Sequence, residues 1–301
     1  MLWLMFEAVI WVFLVVVGAA LIDIVTKFGR KILKQWLLLL VVIVLFFSWS
    51  VIFYGSFIEP RLLVVNQEKI EVEGIDQSIK VALLSDLHVG PYKGGGWVEE
   101  VVEKTNKQKP DLVLLLGDYV FGYLGEAEDL NALAELSAPL GVFAVLGNHD
   151  FEAELPDEIK NKLQALGITV LIDSSAEIKI SDEKFFCLAG VNDLWNGGVV
   201  SETVNSCPDE TVILMSHNPD AVFNIESSKV ALIVSGHAHG GQIRLPFVGS
   251  VSSVPTVLSK EYSKGLFDFS GTKLFVTSGL GETGPRARLF NPPEIVILEL
   301  K

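Results

Sequence analysis

Five short apolar runs, each followed within three residues by aspartate, histidine or asparagine, constrain the fold of this chain more than any other feature. Each run has the length and the Val, Leu and Ile content of a buried strand. Open α/β sheets bind ligands at the carboxyl ends of their strands. The runs are residues 81–84, 112–116, 142–146, 212–215 and 230–234, followed respectively by Asp86 and His88, Asp118, Asn148 to Asp150, His217, and His237 and His239. The pattern predicts an α/β sheet with a polar crevice at its strand ends.

Helical patterns separate the first strands, whereas the later part of the domain is poor in helices. Apolar residues recur at helical spacing in 97–107, 130–136 and 157–166. Further strands are predicted at 168–172, 177–180, 185–191, 273–277 and 294–300, with an edge strand at 69–72. We therefore expect an α/β fold in which two sheets form a sandwich flanked by helices.

Two long apolar segments open the chain. Residues 2–22 are apolar except for Glu7, and residues 36–57 carry no charge, so each has the ~20 residues that cross a hydrocarbon core. No Lys or Arg precedes the first segment, which speaks against a signal peptide, although Gly18-Ala19-Ala20 resembles a weak cleavage site. The sequence predicts two transmembrane helices with a basic connector in 1–57, a linker and edge strand in 58–79, and a globular domain in 80–301.

The connector between the two spans predicts their orientation. It contains Lys27, Arg30, Lys31 and Lys34, and short loops rich in Lys and Arg stay in the cytoplasm. The N-terminus and the large domain would then lie on the extracytoplasmic side of the cell membrane. A re-entrant hairpin on the cytoplasmic face is the alternative.

The charge of the chain limits its partners. The net charge is −14, and because residues 1–59 sum to +1, the remainder carries −15. Such an acidic body speaks against nucleic acid as a partner, since phosphate backbones are bound by basic faces. The two cysteines are too few for a disulfide framework, and Cys187 is predicted to be a buried strand residue.

All five histidines of the chain lie in the strand-end motifs. One histidine in such a place is more often a structural residue. Five together, accompanied by Asp86, Asp118 and Asn148, predict a metal site. Because the donors are oxygen and imidazole nitrogen without cysteine, manganese, iron, zinc and magnesium are the candidate ions.

These motifs resemble those of the calcineurin-like metallophosphoesterases. The resemblance covers residues 80–301 and rests on Asp86-x-His88, Gly117-Asp118, Gly147-Asn148-His149-Asp150, His217 and Gly236-His237-x-His239, in that order. The stretches 236–246 and 279–295 narrow it to a bacterial membrane-anchored branch. That branch includes YkuE- and YaeI-type phosphodiesterases and an LpxG-type UDP-2,3-diacylglucosamine pyrophosphatase.

The resemblance implies a centre of two divalent metal ions, with Mn²⁺ expected first. One ion would be held by Asp86, His88 and His239, the other by Asn148, His217 and His237, and Asp118 would bridge them. Two dications ~4 Å apart produce a hydroxide at neutral pH, which can attack a phosphorus atom.

Four further residues are candidates for the site. His149 is expected to be a general acid for the leaving oxygen or a donor to a phosphoryl oxygen, with Asp150 either orienting its ring or capping a helix. Arg286 and Arg288 either clamp a substrate phosphate or lie on the surface. The loop Trp195-Asn196-Gly197-Gly198 either lines a pocket or is a plain turn.

Together these features predict a metal-dependent phosphohydrolase that cleaves a phosphodiester or pyrophosphate bond in a lipid-linked substrate. The expected partners are the lipid bilayer and that substrate, with no nucleic acid and no obligate protein partner. The alternatives are a UDP-2,3-diacylglucosamine pyrophosphatase of lipid A synthesis and a non-catalytic metal-binding membrane scaffold. The side of the membrane on which the domain lies distinguishes the first alternative from the main prediction, because UDP-linked lipids are made in the cytoplasm.

Overall fold

The computed structural model describes residues 2–28, 36–152, 156–181, 184–208, 211–225 and 229–301. The α-helices in these ranges are α1 (Leu2–Phe28), α2 (Trp36–Phe53), α3 (Gly95–Lys107), α4 (Asn148–Glu152), α5 (Pro156–Ala165) and α6 (Val200–Asn205). The strands are β1 (Val64–Ile70), β2 (Ile79–Leu84), β3 (Leu112–Leu115), β4 (Val142–Ala144), β5 (Thr169–Val170), β6 (Ser174–Lys179), β7 (Phe185–Gly190), β8 (Val212–Met215), β9 (Val230–Ser235), β10 (Arg244–Leu245), β11 (Gly249–Ser250), β12 (Gly265–Phe269), β13 (Thr272–Val276) and β14 (Glu294–Leu300).

Two six-stranded sheets form the body of the domain. The first has the order β1-β14-β2-β3-β4-β5 and the second β12-β13-β9-β8-β7-β6. Strands β2, β3 and β4 are parallel, as are β7, β8 and β9. The carboxyl ends of each parallel set therefore meet at one edge of its sheet. The predicted two-sheet α/β sandwich is confirmed.

Alternating side chains divide the core into layers, as expected of buried strands. Leu83 and Leu114 of the first sheet meet Phe186 and Met215 of the second in the inner layer. On the outer face of the first sheet, Leu84 packs with residues of α3 and α5. The outer face of the second sheet packs against α6. Both sheets are thus held rigidly beneath the loops that follow their strands.

The structure differs from the sequence prediction in two local features. Residues 130–136, expected to form an α-helix, lie in a 3₁₀-helix spanning Ala127–Glu135. The edge strand is β1, which begins at Val64 and not at residue 69, because it pairs in parallel with β14 along its whole length. That pairing overrides the polar composition of its centre.

The apolar N-terminal segments form a pair of contacting helices. Trp3–Lys27 and Leu39–Arg61 have mean hydropathies of 2.8 and 2.3, and both are long and apolar enough to span a bilayer. The Trp49 indole N–H donates to the Leu14 carbonyl across the pair at 2.9 Å. Beyond α2 the chain continues as one turn of π-helix, Tyr54–Ile58. Of the basic connector, Arg30, Lys31 and Lys34 lie outside the described residues.

Cys187 lies on β7 and is buried, as predicted, but it is bonded to Cys207 in a disulfide. The sequence reading missed this pairing because two cysteines do not make a framework. The bond links β7 to the segment directly after α6, with 5.9 Å between the two Cα atoms.

Candidate metal centre

The predicted ligands converge where the two sets of parallel strands end. Asp86 and His88 follow β2, Asp118 follows β3, Asn148 opens α4 after β4, His217 follows β8, and His237 and His239 follow β9. Five of these residues have φ between 44° and 65°, a left-handed conformation that side chains other than glycine rarely adopt: Asp86, His88, Asp118, His237 and His239. Such backbone strain collects at functional sites, where the surrounding fold holds it in place.

Two groups of ligand atoms share one carboxylate. In each of the groups Asp86–His88–Asp118–His239 and Asp118–His217–His237, the donor atoms lie within 4.8 Å of one another. Asp118 Oδ2 lies 3.4 Å from His88 Nε2 and 3.1 Å from His217 Nε2. The structure therefore brings together the six predicted Asp and His ligands around Asp118.

Hydrogen bonds to backbone carbonyls orient three of the imidazoles. His217 Nδ1 lies 2.7 Å from the Leu116 carbonyl, which leaves Nε2 facing Asp118. His239 uses Nδ1 in the same way, on the Gly281 carbonyl at 3.2 Å, whereas His237 uses Nε2 on the Pro255 carbonyl at 2.9 Å. When one ring nitrogen donates to a carbonyl, the other keeps its lone pair for a metal. Each free nitrogen belongs to one of the two donor groups.

The seventh predicted ligand, Asn148, supplies an orphaned oxygen. Its side chain is buried, and Oδ1 has no hydrogen-bond partner among the described residues. An unpaired buried carbonyl oxygen is costly unless a ligand such as a cation satisfies it. The approach to the cluster is tight, because a Cβ on Gly147 would lie 2.2 Å from Asp118 Oδ1. These residues fit a pair of divalent cations.

The protonation states of the cluster also suit cations. Burial lowers the pKa of His88 to about 3 and that of His237 to about 4, so both rings are neutral donors at physiological pH. Burial raises the pKa of the Asp118 carboxyl, but the neighbouring His217 outweighs burial and holds that pKa well below its usual range. Although burial opposes it, the Asp118 carboxylate raises the pKa of His217 to about 10. Asp118 thus stays ionised beside a charged His217, whose ring proton a bound cation would displace.

His149 stands beside the ligands rather than among them. Its ring centroid lies 4.8 Å from that of His88, and its side chain is 23% exposed. Nδ1 lies 3.0 Å from Glu152 Oε2, and the backbone N–H donates to Asp118 Oδ1 at 2.9 Å. With Nδ1 paired to a carboxylate, Nε2 is the nitrogen able to give a proton to an oxygen near the cluster.

The expected contact between Asp150 and His149 does not occur, because Glu152 occupies that position. The Asp150 carboxylate is fully buried and accepts hydrogen bonds from the backbone N–H groups of Asp118, Tyr119 and Gly147. By reaching back to Gly147 it caps the helix in which it lies, and it also fixes the Asp118 loop. Asp150 is therefore a positioning residue for the Asp118 carboxylate that the two donor groups share.

Arg288 does not fit the predicted phosphate contact. Its side chain is fully buried, and its N–H groups donate to the carbonyls of Ser278, Gly279, Gly281 and Asn291. Its role is to shape the loop 279–288, in which the Gly281 carbonyl contacts His239.

Arg286 lies at the rim of the domain, against the apolar helices. Its guanidinium is 3.8 Å from the Glu7 carboxylate of α1 and lies over the rings of Phe57 and Tyr92. The side chain is 16% exposed, so it is not a free surface residue. The structure does not place it in the ligand cluster.

Sequence analysis did not identify the contact that Glu152 makes at this centre, and it left open the role of the loop that contains Trp195. Glu152 pairs with His149 three residues earlier on α4, a helical spacing that could have identified it. Trp195 is half-exposed with its ring centroid 4.8 Å from that of His237, edge to face, so its loop reaches the ligands.

Known proteins are similar to this chain over its globular domain. Residues 79–241 match the family described as calcineurin-like phosphoesterase. The chain is 30% identical over 256 residues to the Bacillus subtilis protein named uncharacterized metallophosphoesterase YkuE, covering 82% of this chain and 89% of that protein. It is 32% identical over 227 residues to phosphodiesterase YaeI of Escherichia coli, covering 73% and 82%. A Danio rerio relative named transmembrane protein with metallophosphoesterase domain is 29% identical over 251 residues, covering 77% of this chain and 56% of that protein.

Proposed function

Because this chain belongs to the calcineurin-like phosphoesterase family, we propose that it is a membrane-anchored enzyme that hydrolyses phosphodiester bonds in a lipid-linked substrate. The observation that carries the proposal is Asp118, whose carboxylate belongs to both donor groups. A carboxylate shared in this way is suited to hold two cations side by side, the arrangement of two-metal phosphoryl transfer.

Each residue of the site has a chemical task in this proposal. When bound, two divalent cations would activate water and neutralise the phosphoryl oxygens. The backbone N–H of His149 and the buried Asp150 hold the bridging carboxylate and its loop in place. His149 Nε2 protonates the leaving oxygen, while Glu152 on Nδ1 stabilises the charged ring between turnovers.

A phosphodiester is favoured over a pyrophosphate by two considerations. The Escherichia coli relative carries the name phosphodiesterase. The orientation that the basic connector predicts separates the domain from the cytoplasm, where UDP-linked lipids are made. UDP-2,3-diacylglucosamine is accordingly the second candidate substrate, with the opposite topology.

A lipid-linked substrate is favoured by the position of the apolar helices. The start of α1 touches the domain beside the metal centre, where Trp3 lies 6.0 Å from Tyr92 between ring centroids. Tyr92 in turn packs on Phe121, and Phe121 packs on the ligand His88. A bilayer around these helices would lie next to the site, within reach of a headgroup that remains attached to its acyl chains.

Metal-dependent hydrolysis tests the proposal directly. Full-length protein in detergent is expected to hydrolyse bis-p-nitrophenyl phosphate, to lose the activity on chelation, and to regain it with manganese. The full chain is used because β1, which precedes residue 80, completes the first sheet. A phospholipid diester and UDP-2,3-diacylglucosamine are then compared as substrates. Preference for the UDP-linked lipid would reverse the ranking, and activity that survives chelation would refute the metal mechanism.

Topology provides an independent prediction. With the connector in the cytoplasm, alkaline phosphatase fused after Lys301 should be active, and a fluorescent reporter that folds only in the cytoplasm should be dark. The Cys187–Cys207 disulfide supports this orientation, because such bonds persist mainly outside the reducing cytoplasm. An inactive phosphatase fusion with a bright reporter would show that the domain is cytoplasmic. UDP-2,3-diacylglucosamine would then be the first candidate substrate.

A further inference from the structure

A loop beside the metal centre exposes apolar side chains that the proposed reaction does not use. The apolar loop, residues 245–257, contains five large hydrophobic side chains exposed to solvent: Leu245, Phe247, Val248, Val251 and Val257. No charged residue occurs in 245–259, although the chain beyond residue 59 carries −15. Contiguous exposed apolar surface of this kind marks a binding surface.

The conformation at Phe247 indicates that the exposure serves a purpose. The Val248 N–H donates to the Leu245 carbonyl at 3.1 Å and closes a turn with Pro246 and Phe247 at its centre. Phe247 has φ of 66°, and the corresponding turn position normally requires glycine or asparagine. Its side chain is 109% exposed. The backbone is thus strained at Phe247, the residue whose phenyl ring is fully exposed to solvent.

The apolar loop is continuous with the end of the apolar helices. The backbone N–H of Arg288 donates to the carbonyl of Gly55, just beyond α2, at 2.8 Å. The backbone carbonyl of the next residue, Leu289, accepts from the backbone N–H of Arg244 at 2.9 Å. Arg244 lies on β10, which leads into the loop. Arg244 itself is turned inward, onto the Gly240 carbonyl and the Ser263 hydroxyl, so its charge does not interrupt the apolar surface.

The same loop is also hydrogen-bonded to a candidate metal ligand, His237. The Pro255 carbonyl accepts from His237 Nε2. The Ser252 hydroxyl donates to the carbonyl of Gly241, which lies two residues after His239. The loop that carries the exposed side chains is therefore hydrogen-bonded to the candidate ligand cluster.

We propose that the apolar loop inserts into the surface of the bilayer that holds α1 and α2, forming a second membrane contact that turns the metal centre toward lipid headgroups. The bilayer is the favoured occupant because the loop is uncharged, is linked through residues 288 and 289 to the turn after α2, and exposes a phenyl ring suited to the acyl-chain boundary. An acidic domain needs such an uncharged face to approach anionic headgroups. This inference rests on the membrane anchoring in the proposed function and deepens it.

Fluorescence quenching in vesicles tests the inference without requiring catalysis. A Phe247→Cys variant carrying an environment-sensitive fluorophore is reconstituted in phosphatidylcholine–phosphatidylglycerol vesicles; the native cysteines are paired and remain unlabelled. The label should be quenched by nitroxide-bearing lipids and lose quenching by aqueous iodide. A Gln164→Cys label, on the exposed face of α5, should show the reverse.

A Phe247→Asn variant separates the loop from the chemistry. Asparagine tolerates the positive φ, so thermal stability should be unchanged or higher. Hydrolysis of a diester presented in vesicles should fall by roughly tenfold, since the ring no longer contacts acyl chains, while hydrolysis of bis-p-nitrophenyl phosphate stays unchanged.

Three outcomes overturn the inference. They are iodide quenching at position 247 equal to that at 164, shielding of the 247 label from both quenchers, which indicates a protein cover, and full activity of Phe247→Asn on vesicles. Flotation of the wild-type protein with vesicles tests the anchor, and bis-p-nitrophenyl phosphate tests the chemistry. Failure of the proposed function is thereby distinguished from failure of the loop contact.

Discussion

The Asp118→Ala variant is expected to lose both metal ions and at least roughly 10³-fold in kcat/KM, more than removal of a single charge-stabilising group usually costs. The reason is geometric. Oδ2 of this side chain lies within 3.4 Å of His88 Nε2 in one donor group and of His217 Nε2 in the other. Without the carboxylate, each group keeps donors but loses the anion that holds two dications close together.

Elemental analysis of the purified full-length protein checks this expectation, alongside diester hydrolysis. Asp86→Ala is the informative comparison, because Asp86 belongs to only one donor group and should lose one ion preferentially. Glu177→Ala on β6, an exposed carboxylate, should leave metal content unchanged. Two ions retained by Asp118→Ala would show that the shared carboxylate does not bridge them.

The His149→Ala variant should keep both metals yet lose roughly two to four orders of magnitude in kcat, the usual contribution of general acid catalysis. Metal binding survives because the contact of residue 149 with Asp118 is made by its backbone N–H, which alanine retains. The loss should shrink for diesters with acidic leaving groups, such as p-nitrophenol, because these leave without a proton.

A pair of substrates with good and poor leaving groups measures this difference. Glu152→Gln should reduce the rate by roughly 10- to 100-fold, the usual effect of removing a group that orients another, with the same dependence on the leaving group. If His149→Ala slows both substrates equally, His149 is a donor to a phosphoryl oxygen and not the acid.

The clustering of the candidate metal ligands could be predicted from sequence because their signal is local. His237 and His239 directly follow an apolar run whose end must lie at the sheet edge, and the same logic holds for Asp86 and Asp118. Hydrophobic runs and their periodicity likewise located the strands, although not their order in the two sheets. These features need only the residues in one short window.

Contacts that depend on how loops and segments fold back on one another could not be predicted in this way. Arg288 is buried because carbonyls of its own loop converge on it, a geometry that no sequence pattern encodes. Arg286 meets Glu7 only because the N-terminal helix returns to the rim of the domain. Asp150 caps α4, one of the two roles expected from sequence, and Glu152, nearer the exposed end of α4, contacts His149 instead.

The position of β14 affects when the domain can fold. This last strand lies between β1 and β2, with Val64 paired to Glu294 on one side and Leu83 to Val296 on the other. A ribosome makes β1 and β2 long before β14, so the first sheet stays open until β14 has been made. A chain in which this sheet is still open is in the state that a translocon accepts. If the domain is exported, closure of the sheet follows transport, and no step is needed to unfold it first.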